Sequence, residues 1–218
     1  KELRGVAMAV AVAQVGLTVL LDWTLFALLL AVWGWLAIMT KEFFVPEWLK
    51  KRPLVYMVSH MAIMPLIDLY ATACDWWPAG YALHEGFGLT LGAFLLLSLV
   101  NGTAIEIARK CWAPEQEREG VETYSRLWKP GPAGVAVMGV VLVGLTLSAF
   151  INVRSEAGIW FLGALLLISA WAAWCAIDYA GTPTPRTAKA IETASGVFVL
   201  CNYLLLGVLP LVASLWLS

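Results

Sequence analysis

Charge is scarce in this chain: Asp, Glu, Lys and Arg make up 13% of its 218 residues, against 61% hydrophobic ones. That leaves too little polar material to surround a soluble module. Cysteine is sparse as well. Cys74, Cys111, Cys175 and Cys201 show neither CxxC nor Cys/His ligand spacing, so no zinc site or disulfide framework is indicated, and they read as small apolar filler in helices. The apolar runs lack period-2 alternation, which argues against a membrane barrel built from apolar-out, polar-in strands. A net charge of −1 and the lack of any basic-aromatic surface give no reason to expect nucleic acid as a partner.

What is present is long, continuous hydrophobicity. Mean hydropathy is +0.80 and there are 12 Trp. A span needs roughly 20 mostly apolar residues. Seven stretches meet that, at about 3–21, 23–40, 54–74, 82–108, 131–151, 157–178 and 188–216, the last broken by Pro210. The sequence therefore predicts an all-α, polytopic transmembrane helical bundle, with residues 1–218 forming a single domain. Its charges fall in three clusters, Lys41 to Arg52, Glu106 to Lys129 and Arg186 to Glu192. With seven spans, every one of the 14 basic residues except Arg154 lies on one face, so the positive-inside rule makes the loops at 41–53, 109–130 and 181–188 cytoplasmic. Asn101-Gly102-Thr103 matches a glycosylation sequon but lies in the cytoplasmic half of a span, and is discarded. Trp48, Trp76, Trp77, Trp112 and Trp128 sit near span ends as an aromatic belt would. The first residue is Lys, and Lys-Glu-Leu-Arg runs straight into a span without a signal-peptide pattern, so the chain reads as part of a longer protein.

Polar residues inside spans are costly and line cavities or pair with one another. In the third span Tyr56 and His60 are four apart on one face with Ser59 beside them, and Pro65 removes a backbone donor, which predicts a kink just past His60. These groups read either as cavity lining or as hydrogen bonding to a neighbouring helix. Asp68 lies deeper and reads as glue between helices, while Asp75, His84 and Glu85 fall on the opposite, poorly charged side. Gly144 and Ser148 form a small-xxx-small pair that reads as helix packing.

The densest polar signal begins where the fourth span reaches the surface. Glu106, Arg109 and Lys110 occupy one helical turn, which brings a carboxylate and two cations together. Pro114 is placed to start a short helix and Gly120 to end it, displaying Glu115, Glu117, Glu119 and Glu122 beside those cations. Carboxylates hold magnesium and Arg or Lys grip phosphate oxygens, although a solvated charged loop has much the same composition.

The run Glu106-Ile107-x-Arg109-Lys110 … Glu115-x-Glu117-x-x-Gly120-x-x-Thr123, set between a span and a Gly-rich span, resembles the second acidic motif of the UbiA-type intramembrane prenyltransferase superfamily. Members typically read Arg-Glu-Ile-x-Lys-Asp … Asp … Gly-x-x-Thr there, carry nine spans, and have three after this motif, as here. The family's basic residue in the cytoplasmic loop two spans earlier corresponds to Lys41, with Ala37 where Tyr is usual. In this register two further spans and the first motif, Asn-Asp-x-x-Asp-x-x-x-Asp, are expected upstream, so the chain holds seven spans of nine. Arg52-Pro53-Leu54 is similar to a tripeptide that often follows the first motif, but residues 41–51 contain no Asp. Lys110 stands where the motif's leading aspartate falls, and the loop's acids are glutamates. The motif similarity extends over about 20 residues.

The resemblance implies transfer of a prenyl group from a polyprenyl diphosphate to an acceptor, usually an aromatic ring, assisted by magnesium. It assigns Lys41, Arg109 and Lys110 to the diphosphate, Glu115 and Glu117 to magnesium, and Glu106, Tyr56 and His60 to the reacting centre, the last two near the acceptor. Asn101, Asp178, Lys189 and Glu192 are further polar residues expected at the same mouth, and the apolar helix faces would hold the isoprenoid. The competing expectation is a non-enzymatic membrane protein, either a small-solute carrier or an assembly subunit binding a lipid or pigment.

Overall fold

The computed structural model describes residues 2–80, 88–154, 160–208 and 211–212. Lys1, His84, Glu85 and the break expected at Pro210 lie outside the described residues. Every regular element among the described residues is helical. Hydrocarbon offers backbone groups no water, and a helix satisfies them within one segment. Among the described residues six helices are long and apolar enough to cross a membrane, Arg4–Leu21, Pro53–Trp76, Leu89–Arg109, Pro130–Arg154, Phe161–Gly181 and Pro185–Val208, and Trp23–Met39 forms a shorter apolar one. This is the composition of an integral membrane protein. The chain divides into two compact units, residues 1–95 and 96–218, which are described in turn.

The first unit holds α1 (Glu2–Leu21), α2 (Phe26–Met39), α3 (Pro46–Lys50), α4 (Pro53–Met61) and α5 (Ile63–Trp76). Asp22 separates α1 from the 3₁₀ turn that leads into α2. Its carboxylate accepts hydrogen bonds from the Thr24 hydroxyl at 2.6 Å and the Thr24 backbone N–H at 2.8 Å, and these hold its carboxyl below the usual carboxylate range. Hydrogen bonds tie helices together, among them Trp33 Nε1 to Gln14 Oε1 at 3.2 Å, Thr18 Oγ1 with the Tyr70 hydroxyl at 2.6 Å, and Trp35 Nε1 to the Ser59 carbonyl at 3.1 Å. The third span is interrupted at Ala62, between His60 and Pro65, because Pro65 has no N–H to bond back to Met61. Most of α1 presents bare apolar side chains, Leu20 being 82% exposed. In lipid such a surface needs no protein cover.

The second unit takes the C-terminal part of α6 (Leu89–Arg109), then α7 (Tyr124–Trp128), α8 (Pro130–Arg154), α9 (Trp160–Gly181) and α10 (Pro185–Tyr203), which runs on as one π-type turn, Leu204–Val208. Helices α8 and α9 pack most extensively, with α10 against α9. Small residues make this closeness possible. A Cβ on Gly134 would stand 2.7 Å from the Ala176 carbonyl oxygen. Gly144 lies against the Phe198 ring, and Ser148 donates to Asn202 Oδ1. The small-xxx-small pair thus faces α10. Asn202 Nδ2 in turn donates to Asn101 Oδ1 at 3.4 Å, so three helices share one buried amide–hydroxyl cluster.

Candidate functional site

In the second unit α6 ends in an ion triad. Glu106, buried, takes Arg109 Nη2 on Oε2 at 2.5 Å and Lys110 Nζ on Oε1 at 2.7 Å. The i,i+3 and i,i+4 spacings stack both cations over one carboxylate. Lys110 also lies 5.6 Å from the centroid of the Tyr124 ring, and its carbonyl accepts the Tyr124 N–H at 3.0 Å. Lys110 therefore holds the far end of the loop.

That loop is wound around Glu117. Pro114–Gln116 forms a single 3₁₀ turn, started by the proline, and Gly120 turns the chain with φ +78°, a conformation favourable to glycine. Glu117 accepts the Thr123 hydroxyl at 2.7 and 2.8 Å and the Ser125 hydroxyl at 2.7 Å. Thr123 also caps α7 by accepting the Arg126 N–H, and Ser125 accepts the Trp112 N–H at 2.9 Å. From α9 the Tyr179 hydroxyl donates to the Trp112 carbonyl at 2.8 Å. Glu117 thus closes the loop on itself instead of standing open beside Glu115.

A cleft of about 390 Å³ opens between this loop and the start of α10, lined by Arg109, Cys111, Trp112, Glu115, Gln116, Glu117, Arg118, Pro185, Ala188, Lys189 and Glu192. Thr184 and Thr187 cap α10 reciprocally, fixing Lys189 and Glu192 one turn in, where they pair at 2.9 Å. Of the residues singled out from sequence, Arg109, Glu115, Glu117, Lys189 and Glu192 meet here. Lys110 does not line the cleft. Asn101 lies in the buried cluster with Asn202 and Ser148, and Asp178 is exposed, its Oδ1 3.5 Å from the Thr182 hydroxyl. Arg118 and Gln116 line the cleft without having been singled out. Arg118 carried a signal, as the cation between Glu117 and Glu119.

Cys111 sits at the cleft base, 2% exposed. Burial pushes its thiol up to about 12, with hydrogen bonding to Tyr179 taking back a part. A variant retaining Cys111 as its one cysteine is expected to resist maleimide at pH 8 until denatured. Labelling of the folded protein at the rate of a free thiol would contradict this burial. Because this thiol is raised in the folded state, its contribution to stability is present below the unfolded value near 9 and is lost as pH rises toward about 12.

Lys41, Tyr56 and His60 belong to the first unit. Glu42, Phe43 and Phe44 follow Lys41 as a left-handed turn, with φ of 49°, 53° and 60°. Such angles are strained for side-chain-bearing residues. The turn brings Glu42 onto α4. The Tyr56 hydroxyl donates to Glu42 Oε1 at 3.2 Å, and His60 Nε2 lies 3.6 Å from Glu42 Oε2. His60 Nδ1 is 2.8 Å from the Tyr56 carbonyl, which obliges the ring to donate there, and the Tyr56 and His60 rings stack at 4.0 Å. Phe43 meets His60 edge-on, while Lys41 itself is exposed. Glu42 was not singled out from sequence, because Glu-Phe-Phe carries no mark of a left-handed turn.

Compared with family models, curated proteins and solved structures, the chain has no significant match in any of the three.

Proposed function

We propose that this chain is a membrane-embedded prenyltransferase of the UbiA type, moving a prenyl group from a polyprenyl diphosphate to an aromatic acceptor, with the loops at 41–53, 109–130 and 181–188 on the cytoplasmic side. The observation that carries the reading is the cleft, where Arg109 from the end of α6, Arg118 from the loop that follows and Lys189 from the start of α10 converge at the end of an apolar helical unit. Polar anion-binding groups above hydrocarbon-lined helices suit a ligand with a phosphate head and an isoprenoid tail. The motif resemblance and the one-sided distribution of basic residues point the same way.

The donors for magnesium are few. Among the described residues no three His, Cys, Asp or Glu side chains group closely enough to hold a metal ion. Glu106 is occupied by two cations, Glu117 by two hydroxyls and Glu192 by Lys189, which leaves Glu115 as the cleft carboxylate facing outward. This set does not fit a metal held by protein alone. It fits magnesium that arrives on a diphosphate, since that ion keeps several waters and needs only one or two carboxylates. Bound in that way, magnesium would offset charge on the leaving diphosphate. The chain's own part is binding: Arg109, Lys189 and Arg118 meet phosphate oxygens, and Glu106 keeps Arg109 in its rotamer.

The engagement of Glu106 and Glu117 also favours a second reading, a non-enzymatic subunit that binds a phosphate-headed lipid or a pigment. Incubating the intact protein with magnesium, a panel of prenyl diphosphates and aromatic acceptors distinguishes them. Magnesium-dependent diphosphate release is the expected result. Binding without release supports the second reading, and no binding removes both.

A further inference from the structure

We propose that Arg118, not Lys110, is the residue that grips the phosphate end of the ligand in the cleft; this rests on the diphosphate reading above and assigns that site's main anion contact. Among the described residues three cations line the cleft, and two are already engaged. Arg109 is held by Glu106 at 2.5 Å and Lys189 by Glu192 at 2.9 Å. Among the described residues the Arg118 guanidinium makes no ion pair or hydrogen bond. An incoming anion must compete with a carboxylate for the first two, but only with water for the third. A guanidinium also offers a planar fork that matches two phosphate oxygens.

The root of this side chain is held while its tip is free. Glu117, the preceding residue, is fastened by the Thr123 and Ser125 hydroxyls. The Arg118 carbonyl accepts the Val121 N–H at 3.4 Å across the Gly120 turn and Arg126 Nη1 at 3.5 Å. A fixed Cα with a solvated guanidinium loses little backbone freedom on binding. Lys110 is in the opposite situation, paired with Glu106, lying against Tyr124 and absent from the cleft wall.

The test is calorimetric titration of the intact, detergent-solubilised protein with inorganic pyrophosphate and, separately, farnesyl diphosphate, each with magnesium, on the unaltered chain and on Arg118→Ala, Arg118→Gln and Lys51→Ala. Lys51 is exposed and no part of the cleft. Both Arg118 variants are expected to bind about tenfold more weakly, with the difference shrinking at high salt, while Lys51→Ala is unchanged and the melting temperatures stay together. Equal affinity of the Arg118 variants and the unaltered chain overturns the inference and leaves the diphosphate reading standing. If the unaltered chain binds neither pyrophosphate nor farnesyl diphosphate, that reading falls, and this inference with it.

Discussion

Replacing Gly134 by valine is expected to destabilise the second unit by about 3 kcal/mol, at the upper end of what overpacking costs. A Cβ there would lie 2.7 Å from the Ala176 carbonyl oxygen, 2.8 Å from Ala180 Cβ and 3.2 Å from Ala180 Cα. None of these atoms is the end of a flexible side chain, so α8 and α9 would have to separate. They form the most extensive helix pair in the unit, with Ala133, Val137, Ala172 and Ala176 buried along it. Gly139 is the control, because nothing lies within 4 Å of its would-be Cβ, and Gly139→Ala should melt at or slightly above the unaltered protein. Thermal unfolding in detergent reads both. A Gly134→Val protein that melts with its parent would mean that the helices do not approach this closely.

Glu117→Ala is expected to open the loop between α6 and α7, costing about 2–3 kcal/mol locally through lost charge-assisted hydrogen bonds and two stranded hydroxyls. Thr123 and Ser125 are 3% and 4% exposed, so water cannot readily replace the carboxylate. Hydrogen exchange at the Trp112 and Arg126 amides, whose acceptors are Ser125 and Thr123, should rise in the variant with or without magnesium. A carboxylate whose business is metal binding predicts otherwise. Variant and parent would then differ only when magnesium and diphosphate are present, and that outcome would return Glu117 to the ligand set.

Much of the helical architecture was legible before any coordinates. Continuous runs of Leu, Val and Ala must become helices in hydrocarbon, because no other single segment satisfies its own backbone, and this depends on composition over about 20 residues rather than on any partner. The interruption at Ala62 was legible for a similarly local reason, Pro65 lacking an N–H. Which charges gather near Glu106 was also local, since Arg109 and Lys110 lie three and four residues on along the same helix.

The uses of the loop residues were not legible, because they are set by contacts between segments. Glu115 and Glu117 look alike in sequence, yet Glu117 is taken by the hydroxyls of Thr123 and Ser125 while Glu115 faces outward. Lys110 and Arg118 are both cations in one charged run, and only the folded loop separates the one that anchors Tyr124 from the one that lines the cleft. Asn101 looked like a mouth residue until α8 and α10 supplied Ser148 and Asn202 as its company. Helix, hydropathy and the gathering of charge were legible because each is a property of neighbouring residues. The tertiary structure alone decided which charged groups are already paired and which remain open to a ligand, because a side chain's partner is chosen by where distant segments bring their own donors and acceptors.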